Sequence, residues 1–210
     1  MAPEMIEVDF GLDFIASCVE GTPRAPGHHL TDLIRASKLI ATNKDIPDNL
    51  VWFDPDAPGL DFTPEVIGLM SMGHIWEEAS RSAFATRVAK MGMTSTGPEQ
   101  REFEGVWMNV DGLVQDGEEV VAIQESKFRF ASPSDPRDNP NWMAQCKGYC
   151  KAFGTLSVWM PIANLTTRPP TARSRIYMIN FSVQEVEENW MLISRTRDYL
   201  DRLRQQRRVT

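Results

Sequence analysis

Cysteine is scarce in this chain: there are three in 210 residues, Cys18, Cys146 and Cys150. An odd number without a repeated pair fits neither a disulfide framework nor a four-cysteine metal site, so reduced thiols are expected. Long apolar runs are also lacking. None approaches the ~20 residues a membrane helix needs, and the start (MAPEMIEVDFGLDF) has no basic-then-apolar signal-peptide order, so a cytoplasmic protein without membrane contact is expected. An excess of positive charge is missing as well. The net charge of −7 argues against a chain that coats itself with nucleic acid. With 13 glycines, 14 prolines, 24% charged and 42% hydrophobic residues, composition excludes collagen-like, low-complexity and disordered classes.

What is present is an ordinary globular composition at a length that predicts one domain over 1–210. Charge is uneven along it. Residues 1–70 carry 12 acids and 4 bases, whereas residues 71–210 carry 17 acids and 18 bases, with six arginines from Arg195 onward, so a nucleic-acid partner stays open. Apolar residues at Leu30, Leu33, Ile34, Leu39 and Ile40 have helical spacing. Thr63 as cap and Pro64 at the first helical position open a long helix that Gly92 closes, with a bend near Gly73. From Arg101 the pattern turns to β: EFEGVWMNVDGLV and EEVVAIQESKFRF read as two antiparallel strands joined at Asp116-Gly117. Asn139 and Pro140 open a helix striped by Trp142, Cys146, Tyr149, Cys150 and Phe153 that Gly154 ends. TLSVWMPI and RIYMINF read as further strands, and Ser182 with Glu185 caps a C-terminal helix over about 183–208. The order α, α, β, β, α, β, β, α predicts an α/β or α+β sandwich of helices on a sheet.

Candidate chemistry concentrates around the hairpin. In a strand, residues i and i+2 share a face, so Glu125 and Lys127 project together, and an antiparallel neighbour can bring Asp111 beside them. Two carboxylates and a lysine suit Mg²⁺, which binds one or two carboxylates plus substrate phosphate. Such a pair on a strand is often only a surface salt bridge. Here Glu125 follows the apolar run Val120 to Ile123, where a strand leaves a core, which favours a functional carboxylate. On the long helix, Glu77 lies one turn after Gly73 and is expected to face inward, either toward the site or toward an internal arginine, with the glycine allowing close approach to the sheet. Gln145 and Tyr149, four apart, share one helix face. His74 is expected as packing or as support for a ligand rather than a ligand itself, and Cys146 and Cys150 as core filling.

Together, G-x-x-x-E (Gly73, Glu77), Asp111, E-x-K (Glu125, Lys127) and Q-x-x-x-Y (Gln145, Tyr149) resemble the PD-(D/E)XK nuclease superfamily, nearest its RecB-like and phage-exonuclease-like (lambda-type) branch. The likeness covers about residues 28–182. It implies a restriction-endonuclease-like core, a central mixed β-sheet flanked by α-helices, and metal-dependent hydrolysis of DNA. It also implies Asp111 and Glu125 as the main ligands of Mg²⁺ or Mn²⁺, Glu77 as a further ligand, direct or through water, and Lys127 as the group that orients or activates the attacking water. Gln145 and Tyr149 would steady the substrate strand. Val110 stands where many members have proline, and the cysteine set that holds an iron–sulfur cluster in some relatives is missing, so no cluster is expected.

Arg129 and Arg137, with Arg168, Arg173 and Arg175, are candidate phosphate contacts, though a solvated loop explains them equally. The expectation is a DNase, an exonuclease of recombination, repair or phage DNA metabolism, in a bacterial or phage-infected cell. An endonuclease of the same superfamily, restriction-like or junction-cleaving, is one alternative. A non-catalytic DNA-binding or virion component that kept the fold is the other. DNA is the expected partner; a helicase or recombination partner and self-association stay open.

Overall fold

Local signals set most element boundaries in the computed structural model, which describes residues 24–54, 64–129, 134–167 and 170–209. The chain runs β1 (His28–His29), α1 (Leu30–Ala41), α2 (Asp48–Val51), α3 (Pro64–Ala89), β2 (Thr94–Ser95), β3 (Glu99–Phe103), β4 (Val106–Val110), β5 (Gly112–Asp116), β6 (Glu119–Gln124) and β7 (Lys127–Arg129). A 3₁₀ turn (Pro136–Asp138), α4 (Pro140–Phe153), β8 (Ser157–Thr167), β9 (Pro170–Asn180) and α5 (Val183–Val209) complete it. The Asn139 side chain accepts from the amides of Asn141 and Trp142 ahead of Pro140, and Gly154 ends α4 at φ 72°. Ser182 and Glu185 form a reciprocal capping box, each side chain accepting from the other's amide at 3.2 and 2.9 Å. The proposed Thr63 cap lies outside the described residues, as do Cys18 and Arg168; the side chain of Arg173 does too.

Two expectations need correction. The run EFEGVWMNVDGLV is not one strand. Glu104 and Gly105 both take positive φ (48° and 74°), the signature of a tight hairpin turn, so β3 and β4 form their own antiparallel pair. At Asp111 the chain then leaves the small sheet β1-β4-β3 and enters the large one. Nor does Gly73 allow close packing: a Cβ built there meets nothing within 4 Å among the described residues. The close approaches occur elsewhere. A Cβ on Gly148 would lie 2.6 Å from Leu30 Cδ2, where α1 crosses α4, and one on Gly112 would lie 2.7 Å from the Thr96 carbonyl oxygen.

The large sheet is mixed. β5 and β6 are antiparallel, β6 and β7 both run parallel to β8, and β9 pairs antiparallel with β8's other edge. Ile123 faces Val158 and Lys127 faces Ile162, so β6 and β7 are one strand in constant register, interrupted at Glu125 and Ser126. The cause lies opposite. The Glu125 amide still donates to the Trp159 carbonyl at 3.2 Å, but the next ladder donor on β8 would come from Pro161, which has no N–H. The ladder therefore opens where the acidic residue sits.

Helices cover both faces. Leu113, Ile123, Val158, Met160 and Ile162 pack with α1, α4 and α5, while Val114, Ala122 and Trp159 pack with Phe84 and Val88 of α3. Burial on both sides explains why β6 is apolar almost throughout instead of alternating. No helix among the described residues is long and apolar enough to cross a membrane.

Candidate active site

The β6–β7 interruption collects the expected residues from four elements. Ser126, freed from the ladder, donates its backbone N–H to Asp111 Oδ2 at 2.5 Å, which ties the β4–β5 bend to the break. Glu125 and Lys127 keep the same side of the strand as Ile123, facing α4. Lys127 Nζ donates to Glu125 Oε1 at 2.5 Å and to Gln145 Oε1 at 3.0 Å. From α4, Gln145 Nε2 donates to the Tyr149 hydroxyl at 2.7 Å, and that hydroxyl donates to the Asn109 carbonyl at 2.6 Å. This chain fixes which end of the Gln145 amide meets the lysine. Tyr149 is buried, and burial together with the nearby Glu125 charge holds its pKa well above the ordinary phenol value, so it stays a donor.

Glu77 reaches over from α3, on the other layer. Its side chain is 24% exposed against 74% for Glu78, and Arg81 lies 3.7 Å from it and 2.7 Å from Glu78, so the inward orientation and the arginine partner both occur. His74 stands 3.8 Å from Glu77 with its side chain 40% exposed, beside a carboxylate rather than in its place.

The electrostatics are those of crowded, dehydrated acids. Burial, then the neighbouring Asp111, pushes Glu125 up to about 8 in spite of Lys127. Burial, then Asp111, pushes Glu77 up to about 7, with Arg81 opposing. Asp111 is raised by burial, against the pull of Lys127 and the Ser126 amide. Burial works to lower Lys127, but Glu125 and then Asp111 outweigh it, so the lysine stays a cation. Glu125 is only 3% exposed, and its Oε2 and the Ser126 hydroxyl are buried without a partner among the described residues. Leaving a carboxylate oxygen so is costly unless a ligand completes it.

No group of three or more His, Cys, Asp or Glu side chains among the described residues is arranged as a ready metal cage. A hard divalent cation does not require one, since one or two carboxylates plus substrate oxygens suffice for Mg²⁺. Asp111 and Glu125, hard oxygen donors that meet at the break with Glu125 Oε2 unpartnered among the described residues, fit that demand.

The two candidate arginines behave differently. Arg129 is committed within the protein: Nε donates to Asn164 at 2.6 Å, its terminal nitrogens donate to the Ser134 hydroxyl and carbonyl at 2.9 Å, and the guanidinium lies 5.3 Å from the Trp142 ring centre. Arg137 is 72% exposed and forks onto Asp135, whose carboxyl it holds down to about 2. Arg175 is exposed on β9. Sequence reasoning missed three contributors: the Ser126 amide, the Asn109 carbonyl and Pro161. Only Pro161, a proline inside an apolar strand, left a readable signal.

The assembly is thus a mixed α/β sheet flanked by helices with a carboxylate–lysine centre at a strand interruption. No family model and no curated protein matches the chain. Among solved structures it is similar to an alkaline exonuclease, LHK-Exo, from Laribacter hongkongensis, at 14% identity and a TM-score of 0.49 over 86% of this chain and 92% of that one. The same enzyme in complex with dAMP gives 12% and 0.49 over 88% and 95%. The crystal structure of SSO0001 gives 12% and 0.48 over 91% and 82%. At such identities nothing about activity passes from them to this chain.

Proposed function

We propose that the protein is a Mg²⁺- or Mn²⁺-dependent deoxyribonuclease that hydrolyses DNA phosphodiester bonds, working as an exonuclease in recombination, repair or phage DNA metabolism. The observation that carries this reading is the joining of Asp111, Glu125 and Lys127 at one break in the central sheet, with a buried Glu125 oxygen left without a partner among the described residues. Asp111 and Glu125 would hold the cation, and Glu77 would reach it directly or through water. When bound, the cation supplies positive charge against the phosphate oxygens and lowers the pKa of a bound water.

The chain's own residues do the rest. Lys127, held cationic by its acids, is a donor rather than a base: it orients the attacking water and offsets negative charge as phosphorus becomes five-coordinate. Gln145 and Tyr149 hold Lys127 at its angle through the hydrogen bonds to Asn109. Water oxygen joins phosphorus and gives up its proton to solvent, the ester P–O bond breaks, and the departing oxygen takes a proton from solvent. Arg137 would exchange Asp135 for a backbone phosphate, while Arg129 holds the Ser134 end of the segment that carries it. With a net charge of −7, affinity for DNA is modest and salt-sensitive unless a partner protein or self-association adds contacts.

The mode is decided with end-labelled linear and covalently closed DNA under Mg²⁺ or Mn²⁺. Shortening of linear DNA from its ends with closed circles intact is the expected result. Cutting of closed circles would overturn the exonuclease assignment, and intact DNA of every form in both metals would overturn the nuclease itself.

A further inference from the structure

A second recess lies away from the carboxylate–lysine centre and shares no residue with it. It is a cleft of about 550 Å³ between the small sheet and α5, reached by the chain just before β1, the end of α2 and the β3–β4 turn. Two indoles form its apolar walls. Trp107 and Trp52 flank Gly27, whose φ of 138° and absent side chain keep the space open: a Cβ there would lie 3.3 Å from the Trp107 ring and 3.9 Å from Trp52. Glu102 is the direct cross-strand partner of Trp107, so carboxylate and indole stand side by side on one face. Glu104, Asp198 and Asp201 add three more acids.

Compensation inside the cleft is incomplete. Arg197, the arginine among its lining residues, donates to Asp198 at 2.8 Å and also to the Glu104 carbonyl. His28, 5% exposed, meets Asp201 at 2.9 Å and packs edge-on against Trp52 at 5.1 Å, which fixes the floor. Glu102 has no hydrogen-bond partner among the described residues, and Asp201 and Asp198 are 45% and 55% exposed. Four carboxylates line the cleft against the Arg197 guanidinium, and with the Arg204 guanidinium on the adjoining Trp52 ring the acids still outnumber the guanidinium groups, which disfavours a phosphate or a nucleic-acid backbone. Aromatic faces beside carboxylates instead attract an organic cation, through ring quadrupole and charge together. One of these rings already carries a cation on one side: the Arg204 guanidinium, which does not line the cleft, sits 3.5 Å from the Trp52 ring centre.

From this cleft we infer a binding site for an alkylammonium cation, with Trp107 and Trp52 against its aliphatic stem and Glu102 and Asp201 at its charged end. Two sources share that chemistry, a free linear polyamine and a lysine side chain of a peptide, and a volume of about 550 Å³ accommodates one such chain. The inference is independent of the nuclease reading, because no residue of that centre takes part.

The test is calorimetric titration of the full-length protein with spermidine and, separately, with an acetylated, amidated trilysine peptide at 0.15 M salt, each followed also by tryptophan fluorescence. Saturable one-to-one binding of either probe is expected. It should weaken at least tenfold in Trp107→Leu and in Glu102→Gln. Glu118→Gln/Glu119→Gln, which removes two exposed charges on the β5–β6 hairpin, should leave it unchanged. Circular dichroism shows whether each variant is folded, and the probe bound more tightly identifies the source. Binding that is unsaturable, that falls equally in the hairpin variant, or that is absent below millimolar for both probes overturns the site.

Discussion

Glu125→Gln separates what the carboxylate costs the fold from what it does. The substitution keeps shape and mimics the protonated acid, which the folded protein favours: the carboxyl is pushed from 4.5 up to about 8 by burial first and by Asp111 second. A folded pKa raised above the unfolded one means that the native state holds the extra proton, so stability falls as pH rises between about 4.5 and 8. One proton difference corresponds to about 1.4 kcal/mol per pH unit, so the wild-type protein without cations loses roughly 3 kcal/mol to this group by pH 7. Glutamine cannot titrate, so the variant lacks this slope, although Asp111 and Glu77 keep contributing in the same sense to both proteins. Urea denaturation in EDTA at pH 5, 6, 7 and 8 reads the difference directly. The variant should match the wild type near pH 5 and exceed it by about 2–3 kcal/mol at pH 8, with the loss of the Lys127 ion pair taking back part of the gain. Parallel slopes in the two proteins would refute the reasoning.

Three further outcomes follow from the same contacts. Gly148→Ala forces a methyl against the Leu30 side chain at 2.6 Å in a buried helix crossing and should cost about 1–3 kcal/mol by urea denaturation, since Leu30 is 1% exposed and its isobutyl group must turn aside within a packed core. Tyr149→Phe leaves the Asn109 carbonyl and the Gln145 amide without the hydroxyl; it should cost about 1–3 kcal/mol in stability and lower kcat more than KM, because Lys127 loses its support. Mg²⁺ should raise the wild-type Tm, by about 2.7 kcal/mol of stabilisation at a hundredfold excess over Kd, and leave that of Asp111→Asn nearly unmoved, as differential scanning fluorimetry will show.

Much of this architecture is legible in short stretches of sequence because its causes are local. Asn139-Pro140 with Gly154 bounds α4, and Ser182 with Glu185 starts α5, since a cap acts within four residues. The Lys127–Gln145 contact follows from a strand face and a helix face that sequence spacing already defines. Other features depend on partners far along the chain. Whether Arg129 reaches phosphate or protein is decided by Asn164, 35 residues on, and the split of one β run into β3, β4 and β5 is decided by which sheet each piece joins. The glycine that permits close packing is Gly148, not Gly73, because crossing points are set by tertiary contact rather than by helix periodicity. Pro161 shows the limit well: its type is visible, but its effect on Glu125 exists only in the parallel register of β7 and β8.

The central claim is that Asp111, Glu125 and Lys127 act together on a phosphodiester bond. Single-turnover cleavage of end-labelled DNA, compared for the wild type, Lys127→Met and Glu125→Gln with and without Mg²⁺, tests it most directly. Cleavage that requires the cation and falls at least a hundredfold in both folded variants is the predicted result, an effect on the scale of losing a preorganised charge at the reacting centre. Cleavage at wild-type rate in either variant, or cleavage undiminished by EDTA, would contradict the account.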